Sequence, residues 1–112
     1  MVRRATLVKL SLLIVESTSL PIAILASVYL LSGYQMLIPD VRLIPEPRRI
    51  HTDRFLRILT ILLVYLHTVG GAILIAERRL RRREVLKKLI ETLAVTMVTI
   101  LLIALLTIEL AL

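Results

Sequence analysis

Three long apolar segments alternate with short charged segments along the 112-residue chain. The second segment, residues 58–76, has no charged side chain, and neither has the third, residues 92–108. The first segment, residues 10–38, contains one acidic residue, Glu16, and one proline, Pro21. A helix of about 20 residues crosses the hydrocarbon core of a bilayer. We therefore predict an all-α integral membrane protein with three transmembrane helices.

The first segment is longer than a bilayer requires. As one helix, residues 10–38 would extend about 43 Å, and such a helix must tilt or kink. The alternative is an interfacial helix over residues 2–16, a break at residues 17–19 and a span over residues 20–38. An interfacial helix needs its polar residues on one face, but those of residues 2–16 scatter around the helix. We therefore predict one long helix, kinked at Pro21.

Composition supports a membrane protein and narrows its chemistry. Hydrophobic residues make up 58% of the chain and its mean hydropathy is +0.90. These values argue against a soluble globular domain, a disordered chain and a nucleic-acid-binding domain. Because the chain has no cysteine, it contains no disulfide, reactive thiolate or cysteine-ligated metal. The many Arg and Glu residues beside Ile-, Leu- and Val-rich spans resemble thermophile usage.

The whole chain, residues 1–112, forms one membrane domain in this prediction, with loops over residues 39–57 and 77–91. Three spans place the N-terminus and loop 77–91 on one side of the membrane, and basic loops favour the cytoplasm. We therefore predict a multi-pass protein of the cell membrane with a cytoplasmic N-terminus. Loop 77–91 is expected to contact anionic lipid headgroups, with no nucleic-acid partner. Ten basic residues lie on the side of loop 77–91: Arg3, Arg4, Lys9, Arg78, Arg79, Arg81, Arg82, Arg83, Lys87 and Lys88. The outer loop has five: Arg42, Arg48, Arg49, Arg54 and Arg57.

The outer loop, residues 39–57, contains three of the four prolines. Proline fixes its own backbone and restricts the residue before it, so we expect extended segments here rather than a helix. Thr52 or Asp53 is positioned to cap the start of the second span.

His67 is the strongest candidate for a functional residue, because it is the central residue of the uncharged segment 58–76. Polar side chains at this depth are expensive, and a neutral imidazole is a common axial ligand of haem iron. Gly70 and Gly71 follow on the same helical face and would leave room for a flat macrocycle. The alternative is that the glycines allow close helix packing and His67 bonds a neighbouring helix.

The other histidine, His51, is too far along the chain to share an iron with His67. If one helix holds both, about 24 Å separates them along its axis. A haem on His67 would therefore take its second ligand from another subunit or a second copy of the chain. We expect His51 to be a surface residue. The alternatives are that it ligates a second haem or contacts a propionate or a quinone.

Glu16 and Ser17 form a polar point within the first span. Such an acid could relay protons or bind a quinone. The alternative is a neutral Glu16 that is hydrogen-bonded to Thr96 or Thr99 across the bundle.

The segment LLVYLHTVGGAILIAERRL resembles the small membrane-anchor subunits of succinate dehydrogenase, and the opening VRRATLVKL is similar to theirs. In that family, one histidine from each of two anchors ligates a shared haem b, and His67 matches this ligand. Small b-type cytochrome anchors of hydrogenases and sulfur-compound reductases share a related pattern, here Ser32-Gly33-Tyr34, His51, His67 and Gly70-Gly71.

Three functions follow as hypotheses. In the first, the chain is a membrane-anchor subunit of a respiratory electron-transfer complex that helps to hold an interfacial haem b and exchanges electrons with quinone. In the second, it is a cofactor-free structural or accessory subunit of a larger membrane complex. In the third, it forms a small transporter-like oligomer with Glu16 as a proton-binding site. No catalytic constellation is present in the sequence, so we expect no chemistry by the chain alone.

Overall fold

A computed structural model describes residues 3–40 and 42–112 of the chain, and Met1, Val2 and Val41 lie outside the described residues. Within these ranges all regular structure is helical. Three helices are long and apolar enough to cross a membrane, which confirms the predicted all-α fold with three candidate spans. The helices are α1 (Arg4–Leu37), α2 (Pro47–His51), α3 (Arg54–Arg79) and α4 (Glu84–Ala111).

Helix α1 runs without interruption through Pro21, so the prediction of one long helix is confirmed over the described residues. The polar residues at positions 17–19 do not break it. Their hydroxyl groups donate to backbone carbonyl groups four residues earlier, at distances of 2.7, 2.7 and 2.5 Å. This pattern satisfies serine and threonine inside a helix without exposing them to water.

Helix α3 lies between α1 and α4 and packs against both. The face of α1 that meets α3 is marked by buried residues at every seventh position: Ser11, Thr18, Leu25 and Ser32. Small residues let two helices approach closely, which is how membrane helices gain packing energy. A seven-residue repeat keeps this face turned toward α3 along the length of α1.

The outer loop is more ordered than its prolines suggest. The expectation of extended segments alone was wrong, because residues 47–51 form the short helix α2. Pro47 occupies the first turn of α2, where its missing N–H costs nothing and its fixed backbone angle suits a helix. The predicted cap of the second span is confirmed at Asp53, whose carboxylate accepts a 3.0 Å hydrogen bond from the Leu56 backbone N–H.

Gln35, near the end of α1, holds the loop against the bundle. Its side-chain oxygen accepts from the backbone N–H groups of Leu43 and Ile44 at 3.0 and 2.7 Å. Its amide nitrogen donates to the Ile44 carbonyl. Gln35 is 7% exposed, so these bonds replace water for a buried amide.

Partly buried ion pairs join all three long helices at the end of the bundle that carries the α3–α4 turn. Arg4 of α1 donates to Glu77 of α3 at 2.8 Å and to both carboxylate oxygens of Glu91 of α4. Lys87 of α4 is 3% exposed and donates to Glu77 at 3.2 Å. We call these four residues the first ion cluster.

A second ion cluster joins α3 and α4 at the opposite end. Glu109 of α4 is 5% exposed, and both of its carboxylate oxygens accept hydrogen bonds from the Arg57 guanidinium. Arg54 donates to the backbone carbonyl of Glu109 at 2.9 Å. A two-bond arginine–carboxylate pair is strong and directional, so it fixes the register of α3 against α4.

Candidate functional site

The two ion clusters bracket the apolar part of α3. Arg57 and Glu77 are 20 residues apart on this helix, which corresponds to about 30 Å, the thickness of a bilayer's hydrocarbon core. His67 is halfway between them, about 15 Å from each along the axis. The depth inferred from sequence for His67 therefore agrees with the positions of the charged residues in the folded chain.

A hydrogen bond between helices fixes the imidazole of His67. Its Nδ1 atom lies 3.0 Å from Oγ1 of Thr18 on α1. The Thr18 hydroxyl also lies 2.7 Å from the Ile14 carbonyl and donates its only proton to it. The tautomer that uses both contacts has the hydrogen on Nδ1 of His67, which donates to Oγ1 of Thr18. In a neutral imidazole, this leaves an electron pair on Nε2.

The two glycines after His67 have different surroundings. A Cβ atom at Gly70 would lie 3.1 Å from the Ser11 carbonyl oxygen and 3.1 Å from Val15 Cγ2, so α1 fills that space. Gly70 thus has the packing role that the sequence left as an alternative. A Cβ at Gly71 would meet nothing within 4 Å. Gly71 alone leaves open surface one turn from the half-buried His67.

His51 ends α2 and packs on α1. Its Nδ1 atom lies 2.9 Å from the Ser32 hydroxyl, and its ring meets that of Tyr29 edge to face, with centroids 5.4 Å apart. Because α2 folds back onto α1, the ring of His51 is half-buried and keeps part of its surface exposed. The Ser32 hydroxyl donates to the Tyr29 carbonyl at 3.2 Å, so His51 repeats the bonding pattern of His67.

Glu16 and Ser17 are exposed on α1. The hydroxyl group of Thr99 lies 3.0 Å from the phenol of Tyr65 and is hydrogen-bonded there. Thr96 is exposed on α4. In the part of the chain that the structure describes, the Glu16 carboxyl has no hydrogen-bond partner. The alternative of a bond from Glu16 to Thr96 or Thr99 is therefore not found within the described residues.

Several surface depressions lie around the outer loop. One of about 470 Å³ is open to solvent and is lined by Pro45, Glu46, Arg49, Ile50, Asp53 and Leu56. No group of three or more His, Asp or Glu residues that could hold a metal ion occurs within residues 3–40 and 42–112.

The sequence pointed to His67 and missed its partner. Thr18 and Ser32, which position the two histidines, are 14 residues apart on α1, two repeats of the seven-residue spacing. That spacing is visible in the sequence and would have assigned both hydroxyl groups to one face of α1. No comparable pattern in the sequence indicates that Arg4 contacts two other helices.

The chain was compared with models of protein families, with curated proteins and with solved structures. None of the three comparisons found a match.

Proposed function

We propose that the chain is a membrane-anchor subunit of a respiratory electron-transfer complex, in which His67 supplies one axial ligand to a haem b at a subunit interface. The observation that carries this proposal is the Thr18–His67 hydrogen bond. It holds the ring by Nδ1 and leaves the Nε2 electron pair available. Metal-ligating histidines generally donate their other ring N–H in this way, which fixes the tautomer and raises the basicity of the ligand.

The open surface at Gly71 supports the same proposal, because a flat macrocycle needs room beside its ligand. A bound haem b would supply one-electron transfer, and we propose quinone as the molecule that donates or accepts the electrons. The other histidine of the described chain does not lie near His67. Thr18 and Ser32, which bond the two histidines, are about 21 Å apart along α1. The second ligand therefore comes from another subunit in this proposal.

In this proposal the protein lies in the cell membrane, and its N-terminus and α3–α4 turn are in the cytoplasm. Arg4 and Lys87 are held by carboxylates within the first ion cluster. The arginines at positions 78, 79, 81, 82 and 83 are all exposed, and none takes part in the ion pairs of the described chain. Free arginines at a membrane interface favour the cytoplasmic side and anionic headgroups.

The test is the dithionite-reduced absorption spectrum of the complex purified from membranes through a tag on this chain. We expect a b-type α-band that is lost in His67→Ala and retained in His51→Ala, the matched histidine control. Gly71→Leu should also weaken the band by covering the open surface. A complex without pigment, or a band unchanged in His67→Ala, would contradict the proposal.

A cofactor-free structural subunit is the second candidate, and one observation favours it. The ring of His67 already has a hydrogen bond within its own chain, and Gly70 packs α3 against α1 without any added group. On this alternative the complex has no α-band, and His67→Gln, which keeps a hydrogen-bonding side chain, assembles normally. Retained assembly together with an absent pigment would select this function over the first.

A further inference from the structure

We propose that two copies of this chain associate through a second face of α1, with the Glu16 carboxyl groups paired at the centre of the membrane. We call this surface the outer face of α1. Its residues are spaced alternately four and three apart and are all exposed: Lys9, Leu13, Glu16, Leu20, Ala23, Ser27, Leu30 and Tyr34. Such spacing defines one continuous side of a helix, suited to pack along another helix.

The outer face is turned away from the rest of the chain. Glu16 is two residues before Thr18, which faces α3, so its side chain leaves α1 about 200° around the axis. Exposure confirms this direction: Leu20 is 69% exposed and Tyr34 59%. Helix α1 thus has one face used by α3 and an opposite face that nothing in the described chain covers.

Glu16 on this face needs a polar partner, which the lipid hydrocarbon cannot supply. It is within two residues of Thr18, and Thr18 bonds His67, so the carboxyl group lies near the middle of the hydrocarbon. The hydroxyl groups of Ser17 and Ser19 donate to carbonyl groups of α1 and not to Glu16. A carboxyl group at this depth faces protein or a water-filled space and pairs with another polar group.

A second copy meets this requirement by symmetry. When two copies are related by a two-fold axis along the membrane normal, each residue lies at the same depth as its counterpart. Two uncharged carboxylic acids are self-complementary, since each hydroxyl donates to the other carbonyl oxygen. Ala23 and Ser27 follow on the same face, and the Ser27 hydroxyl is bonded to the Ala23 carbonyl. Their small side chains let the two α1 helices approach closely.

This inference does not depend on the proposed haem. Helix α3 lies on the opposite side of α1 from the dimer contact, so the two His67 rings do not meet across it. If both proposals hold, the second ligand of the haem comes from a different subunit and not from this second copy.

Disulfide crosslinking in native membranes tests the contact, since the chain has no cysteine of its own. Ala26 and Ser27 are consecutive and both exposed, but they point about 100° apart. We expect Ser27→Cys to crosslink with itself to a dimer of this chain, and the matched control Ala26→Cys to do so at least several-fold less. Equal crosslinking, no crosslinking, or a Ser27→Cys product with a different protein would overturn the proposal.

A second measurement addresses Glu16 itself. Energy transfer between differently labelled copies in lipid vesicles reports their association. Glu16→Gln should keep association because an amide is also self-complementary, whereas Glu16→Leu should weaken it about tenfold. Glu46→Leu, in the outer loop, is the control and should leave association unchanged. Association unaffected by Glu16→Leu would contradict the carboxyl pair whatever the outcome of the haem experiment.

Discussion

His67 Nδ1 and Thr18 Oγ1 lie 3.0 Å apart, and this hydrogen bond joins the centre of α3 to α1. Its removal should be measurable in both stability and function. Thr18→Val keeps the side-chain shape but leaves Nδ1 of His67 without its hydrogen-bond partner. We expect a loss of about 0.6 kcal/mol of stability, typical for such a bond between membrane helices.

If His67 ligates the proposed haem, the same variant should raise its reduction potential, because an imidazole without an acceptor at Nδ1 is a weaker donor to iron. Redox titration of the α-band measures this potential. Thr18→Ser should restore the original potential, since it returns the hydroxyl group. A potential that is the same in Thr18→Val and the original protein would show that this bond has no part in setting it.

Gly70→Ala and Gly71→Ala should differ in sign although the residues are adjacent. At Gly70 the new Cβ would lie 3.1 Å from a backbone oxygen of α1, so the two helices must separate and the bundle loses stability. At Gly71 the new Cβ meets open space, and alanine should stabilise the helix by up to about 1 kcal/mol. Unfolding by titration with a denaturing detergent measures both. Equal effects would mean that α1 does not approach α3 at Gly70.

Glu109→Gln should lower the stability of the folded bundle. The Glu109 side chain is 7% exposed and is paired with Arg57, so its neutralisation leaves a partly buried guanidinium without its anion. We expect a loss of stability that is clearly larger than in the control. The control is Glu46→Gln, because the Glu46–Arg49 pair is 63% and 82% exposed and such pairs contribute at most about 1 kcal/mol. Similar losses in the two variants, by the same detergent titration, would contradict a buried pair at Glu109.

Single cysteines test the orientation, since the chain has none. With a cytoplasmic α3–α4 turn, Arg82→Cys in intact cells should resist a membrane-impermeant thiol reagent, whereas Arg49→Cys in the outer loop should react. Both positions are exposed, so accessibility within the protein does not separate them. Labelling only at position 82 would reverse the proposed topology.

The sequence predicted the elements of this fold well. Long uncharged segments indicate membrane spans directly, because lipid excludes charge over a known length. Asp53 was identifiable as a helix cap because capping depends on neighbouring residues alone. For the same local reason, Pro47 at the start of α2 could have been recognised as a helix N-terminus instead of a barrier to one.

The contacts between elements were harder to predict. Gly70 and Gly71 are equivalent in the sequence, and only the approach of α1 makes one of them a packing residue. The half-burial of His51 depends on the direction in which α2 folds back, which is set by Gln35 and its bonds to the loop. Such relationships depend on how whole helices dock, and local periodicity does not contain that information.

The two ion clusters also give the bundle a fixed height. Because the rise per residue of a helix hardly changes, the separation of Arg57 and Glu77 cannot stretch or shrink with the surrounding lipid. In membranes with longer or shorter acyl chains, the adjustment must come from tilting of the tied helices together or from local deformation of the lipid. The protein should therefore be most stable in bilayers whose acyl-chain length matches this height, which would bias where in a membrane of mixed lipids it resides.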